Sequence, residues 1–145
     1  MGDRRQAREL ALKALFFLDM DQERTREPGP GEVQNLEGFC DTHAEDLTEG
    51  VEPFFKILVN GVTDRIEEID KVLNQCSKNW KISRMPTVDR NIMRIAAYEL
   101  TACDDIPASV TINEAVEIGK KYGTRDSGPF INGVLDKVKS KGTGQ

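Results

Sequence analysis

An all-α fold, a compact single-domain bundle of six or seven helices, is what this 145-residue chain predicts. Apolar residues recur at helical spacing nearly everywhere. No stretch shows the two-residue alternation of a half-buried strand. Breaks containing proline and glycine separate the periodic stretches. The length suits one domain with one sizeable core. Hydrophobic residues at 38%, charged residues at 31% and a mean hydropathy of -0.50 describe a water-soluble globular chain. The longest apolar runs, such as Ile57-Leu58-Val59, are too short to span a bilayer. The opening Met1-Gly2-Asp3-Arg4-Arg5 leads into an amphipathic pattern, so a signal peptide, a membrane partner and export are not expected, and the cytoplasm is the expected compartment.

The first helix is expected from about Asp3 to Asp21, with Ala7, Leu10, Ala11, Ala14, Leu15 and Leu18 forming one apolar stripe. Glu27-Pro28-Gly29-Pro30-Gly31 should break it as a flexible loop. A weaker helix follows, turning Val33, Leu36, Phe39 or Cys40, Ala44 and Leu47 inward and ending at Gly50. Pro53 suits the first turn of a long helix, with Phe55, Leu58, Val59, Val62, Ile66, Ile69, Leu73 and Cys76 as its buried stripe. Gly61 and Asp64-x-x-Glu67 suggest a kink or restart within it.

Ser83 to Thr87 reads as a turn or short helix around Pro86. From Thr87 to about Thr101 the chain is apolar on almost all sides, which places that helix at the centre of the fold. Ile106-Pro107 ends it, and Thr111-x-x-Glu114 looks like a capping box opening the next helix, which stops at Gly123. The last helix starts near Asp126 or Ser127, with Phe130, Ile131, Val134, Leu135 and Val138 inward. Residues 1–140 are read as the domain and 141–145 as a flexible tail.

The residues for chemistry are missing. His43 is the only histidine, and Cys40, Cys76 and Cys103 are odd in number and form no C-x-x-C pair. Free thiols are therefore expected, without a disulfide framework, a metal site or a cofactor. There is no P-loop, no dinucleotide fingerprint and no nucleophile elbow, so no catalytic residue is assigned and the chain is read as a non-enzyme. Glu99, set in the most apolar helix, needs a partner such as Arg90 or Arg94 and reads as a satisfied structural carboxylate.

The formal net charge of -5 is unevenly distributed. Residues 1–18 hold four bases against two acids, residues 19–52 two bases against eleven acids, and residues 53–145 fourteen bases against twelve acids. An acidic segment is thus flanked by two mildly basic ones. Arg4, Arg5 and Arg8 cluster at the mouth of the first helix. At about 100° per residue, Arg4 and Arg8 lie about 40° apart and Arg5 about 60° beyond, one flank beside the apolar stripe. Guanidiniums can fork onto phosphates and stack on bases. The helix dipole disfavours cations at this end, which implies a compensating anion. On spacing alone an ordinary basic N-terminus is the stronger explanation of the cluster.

The opening Arg4-Arg5-Gln6-Ala7-Arg8-Glu9-Leu10-Ala11-Leu12-Lys13-Ala14-Leu15 resembles the arginine-rich start of the transcription antitermination factor NusB family. Three further blocks resemble the same family in the same order. They are Met85-Pro86-Thr87-Val88-Asp89-Arg90 through Leu100, Ile106-Pro107 through Val110-Thr111-Ile112-Asn113-Glu114-Ala115 to Gly123, and Ser127-Gly128-Pro129-Phe130-Ile131-Asn132-Gly133-Val134-Leu135-Asp136. The likeness spans the chain outside residues 22–50.

The resemblance implies a NusB-like helical protein that binds single-stranded boxA-type RNA of ribosomal leaders together with NusE. NusE is a small-subunit ribosomal protein, and the pair helps load an antitermination complex on RNA polymerase. It assigns RNA contacts to Arg4, Arg5 and Arg8, with Lys13 on the same helix, and to Asp126 in the loop before the last helix. It assigns partner contacts to Asp89 and Phe130, the latter fitting a plain core position equally well. Gln6 stands where the family's strongest arms carry a third consecutive base, and Gly128-Pro129 where a more polar pair can occur, so a composite surface with the partner is expected. A homodimer, a NusB-like domain serving a ribosomal RNA cytosine methyltransferase, and a protein-docking module without RNA remain open. The absence of a βαβ cofactor region before Gln145 favours the stand-alone factor.

Overall fold

The computed structural model describes residues 2–25, 30–77 and 81–143, with side chains described outside 21–35 and 142–143. Among the described residues seven α-helices form: α1 (Gly2–Thr25), α2 (Pro30–Thr42), α3 (Glu52–Asp64), α4 (Ile66–Cys76), α5 (Thr87–Ala102), α6 (Ala108–Tyr122) and α7 (Ser127–Thr143). A single 3-10 turn, Ile82–Arg84, precedes α5, and no strand occurs among the described residues. The expected all-α class is the one that forms. The helices gather into two compact units, residues 1–59 and 60–145, each described by itself.

In the first unit α1 buries Ala7, Leu10, Ala11, Ala14 and Leu15 as expected, and also Leu12 and Arg8. Arg8, Leu12 and Leu15 stand at i, i+4 and i+7, so a second apolar line widens the buried face and takes the arginine into it. Phe39 anchors α2, its ring 6.4 Å from Phe17, 6.2 Å from Phe55 and 4.0 Å from the stacked His43 imidazole.

The second helix stops at Thr42, well short of Gly50. Its end is marked by side chains bonding back to the helix: Thr42 Oγ1 donates to the Gly38 carbonyl, and His43 Nδ1 lies 3.0 Å from the Phe39 carbonyl. Turns follow through an acid-rich stretch, leaving Ala44 exposed and Leu47 half-buried. Of the loop expected at 27–31, residues 27–29 lie outside the described residues, and Pro30 and Gly31 already belong to α2.

The second unit holds the end of α3 and α4 to α7. As expected, α5 is central: it packs on α4, α6 and α7, and residues 89–97 and 99 are all buried. The long helix expected from Pro53 does restart in its middle, as expected, at Arg65, whose φ of -119° and ψ of 23° leave the helical region. Asp64 forms no cap for the restart, since Arg65 takes the N-cap position without a side-chain bond. Gly61 serves packing. A Cβ there would stand 2.2 Å from Tyr98 Cζ, so glycine lets the ring lie against the helix backbone.

Two other expectations change. α6 opens at Ala108 behind Pro107, and Thr111 lies a turn inside it. Its hydroxyl donates to the buried Glu99 carboxylate at 3.1 Å, a use that a capping role would forfeit. α7 continues through Thr143, so helix extends past residue 140; residues 144–145 of the expected tail lie outside the described residues.

Candidate nucleic-acid interface

The basic arm is ordered on the first unit. α1 begins at Gly2, which sets Arg4, Arg5 and Arg8 within its first turns. The guanidinium carbons of Arg4 and Arg8 lie 4.9 Å and 5.3 Å from the centre of the Phe54 ring. Residues four apart on a helix share a face, so one aromatic ring can serve both. Attraction between a cation and the negative face of the ring offsets the dipole penalty that the sequence poses. Asp3 supplies a carboxylate in the same first turn.

Arg4 is exposed and Arg5 half-buried, whereas Arg8 is only 4% exposed. The arm therefore grades from an exposed Arg4 through a half-buried Arg5 to an Arg8 embedded in the helix's buried face. Lys13 is exposed but lies about 140° around the helix from Arg8. It borders an apolar groove with Phe16, Phe17, Met20, Phe39 and His43, apart from the Phe54 cluster. Phe16, Phe17 and Met20 are each more than a third exposed.

The remaining assigned residues belong to the second unit and meet at the turn before α7. Ser127 opens that helix, and its Oγ donates to Asp89 Oδ1 at 2.7 Å while accepting from the Thr124 backbone N–H at 2.9 Å. Gly123 is required there, because a Cβ would stand 2.3 Å from Ser127 Oγ. Asp126 is exposed, and its carbonyl accepts from the Phe130 N–H at 3.2 Å; the Phe130 side chain is half-buried.

Asp89 is 4% exposed, so this acid expected at a partner-facing position looks inward. Burial pushes its carboxyl above the ordinary range, and the Ser127 hydrogen bond works partly against that rise. Its place in the structure is to tie the first turn of α5 to the first residue of α7.

Sequence reasoning missed two functional features. Phe54 lies beside the stripe that begins at Phe55; the available signal is a second aromatic in the first turn of the helix, with Leu58 and Val62 following at i+4 and i+8. The burial of Arg8 was missed because Leu12 was left out of the stripe. Among the described residues no group of three or more His, Cys, Asp or Glu side chains could hold a metal ion. No described helix is long and apolar enough to cross a membrane.

Residues 5–140 match the NusB family. The chain is 55% identical over 139 residues to the transcription antitermination protein NusB of Desulforapulum autotrophicum, covering 96% of this chain and 92% of that one. Among solved structures it is similar to T. maritima NusB, with a TM-score of 0.79 at 36% identity, covering 95% of this chain and 91% of that chain. A second structure, of antitermination factors NusB and NusE in complex with double-stranded RNA, has a TM-score of 0.78 at 24% identity, covering 97% of this chain and 98% of that chain, a likeness of fold. Family match, relative and fold agree over nearly the full length: the chain belongs to the NusB family.

Proposed function

We propose that the chain is an RNA-binding transcription antitermination factor. It engages boxA-type elements of ribosomal RNA leaders together with NusE and helps load an antitermination complex on RNA polymerase. The observation that carries this reading is the ordered cationic first turn of α1, with Arg4 and Arg8 against Phe54, in a chain of the NusB family.

Arg4 and Arg5 reach phosphates and unstacked bases of a single strand, where a planar guanidinium can both fork and stack. Arg8 adds positive potential from within the helix face and fixes the ring beneath Arg4. Lys13 adds a second, separate positive position on another face of α1, at the rim of the apolar groove. In the second unit, Asp126 and Phe130 offer a polar and an aromatic contact at the start of α7. Asp89 acts there through Ser127, setting the turn from which those two side chains project. The chain works by binding, with no chemical step of its own, in the cytoplasm, and residues 1–140 form the working domain.

The test is a gel shift of boxA-type RNA with this protein alone, with NusE alone, and with both. The pair should give the strongest shift, and the Arg4→Ala/Arg5→Ala variant should lose it while still binding NusE. Equal retention of RNA by wild type and the double variant would refute the assignment.

A further inference from the structure

We infer that Phe54 and Gly50 form a dock that holds the arginine arm in its RNA-binding shape, with Phe54 a positioning residue for RNA recognition. The inference deepens the proposed RNA-binding reading and rests on it. Both residues flank the start of α3, and both meet the first turns of α1.

The steric half of the dock is Gly50. A Cβ at this position would stand 2.3 Å from Asp3 Oδ2 and 3.0 Å from Asp3 Cγ, so the turn lies directly against the Asp3 carboxylate. The electrostatic half is Phe54, whose ring lies within 5.3 Å of two guanidinium carbons. Pro53 fixes the backbone immediately before that ring and suits the first turn of α3. Asp3, Arg4 and Arg8 are thereby held by two points four residues apart on one neighbouring segment.

An undocked arm faces three penalties. A helix end frays, cations at an N-terminus oppose the dipole, and arginine side chains carry much rotamer entropy. RNA binding by a frayed arm would have to order it at the moment of contact, which weakens affinity without changing the number of phosphates met. Docking removes that cost beforehand. Phe54 thus controls affinity through the arginines without touching the nucleic acid.

The test replaces the ring in the full chain with NusE present and titrates boxA-type RNA across a salt series. Phe54→Leu is expected to weaken RNA binding about five- to tenfold, on the scale of the cation–ring contacts it removes. The slope of log affinity against log salt should stay unchanged, because the phosphate contacts remain. Phe54→Trp should retain or improve affinity, and pentafluorophenylalanine at position 54, nearly the same shape with the ring's charge distribution reversed, should weaken it as leucine does. Amide exchange in residues 6–8, past the unpaired amides of the first turn, should speed up in the weakened variants. The fluorinated ring keeps the test valid should the leucine variant lose its fold.

Wild-type affinity with leucine or the fluorinated ring, alongside lost binding in Arg4→Ala/Arg5→Ala, would overturn the dock and leave the RNA-binding reading standing. Wild-type affinity in the double arginine variant as well would overturn both. A fall in salt slope with Phe54→Leu would also overturn the inference, since it would mean phosphate contacts had been lost.

Discussion

Ser127 Oγ donates a 2.7 Å hydrogen bond to Asp89 Oδ1, joining residues 38 positions apart in sequence and fixing where α7 begins relative to α5. The burial of Asp89 has a pH signature. Burial raises the Asp89 carboxyl, so the folded protein holds this proton more tightly than the unfolded chain does. The resulting stability is fully present below the ordinary carboxylate pKa of about 3.9 and is lost as pH rises through the raised folded value. Asp89→Asn cannot titrate but can still accept from Ser127. Its stability relative to wild type should therefore climb with pH across that window and level off above it. Urea unfolding of both proteins at a series of pH values measures this; parallel curves would count against it.

Gly61 is held small by an aromatic ring. Gly61→Ala places a methyl where Tyr98 Cζ already stands, 2.2 Å from the new Cβ, so the ring must move. The helix preference for alanine, about 1 kcal/mol, only partly compensates. A net loss of about 1–2 kcal/mol is expected from overpacking. Combining it with Tyr98→Leu should cost less than the two changes summed, and a thermal-melt double-mutant cycle reads that coupling directly.

The Asp70–Arg94 pair joins α4 to α5 by a two-pronged bond, Arg94 Nε and Nη2 each 2.8 Å from a carboxylate oxygen. Arg94 Nη1 also donates to Asn91 Oδ1 at 3.0 Å. Removing the carboxylate leaves a largely buried guanidinium without its anion. Asp70→Ala is expected to destabilise the fold by about 2–3 kcal/mol, at the lower end for a buried pair because Asp70 is partly exposed. Denaturant midpoints should show this loss.

Arginines of the arm should separate by function. Arg4→Ala and Arg5→Ala should reduce RNA affinity with melting unchanged within about 0.5 kcal/mol, as for ordinary surface changes. Arg8→Ala should also lower the melting temperature, because that side chain is buried and packs on Phe54. With two to three phosphates met, the wild-type slope of log affinity against log salt is expected at roughly -1.4 to -2.1 on single-stranded RNA. Removing Arg4 and Arg5, two contacts at about 0.7 each, should bring it to between zero and roughly -0.7.

Much of this architecture could be read from local signals. The central helix is legible because Val88 to Leu100 is apolar around its circumference, and the start of α7 because Asp126-Ser127 precede a proline in its first turn. The failures have a common physical origin in partners distant in sequence. Thr111 has the pattern of a cap, yet Glu99 draws its hydroxyl away. Gly61 has the pattern of a kink, yet Tyr98 explains it. Arg8 has the pattern of a surface cation, yet the line through Leu12 and Leu15 buries it. The arm is legible as charge, while nothing local in the sequence tells that the Phe54 ring lies against Arg4 and Arg8.

The closeness of Asp3 to Gly50 has an evolutionary reading. Two positions that share so little space cannot drift independently. Relatives with a larger residue at the place of Gly50 should carry a shorter side chain at the place of Asp3, or start the helix later. Pairwise covariation between these columns would then trace how the arm has been lengthened, trimmed or re-aimed in different lineages.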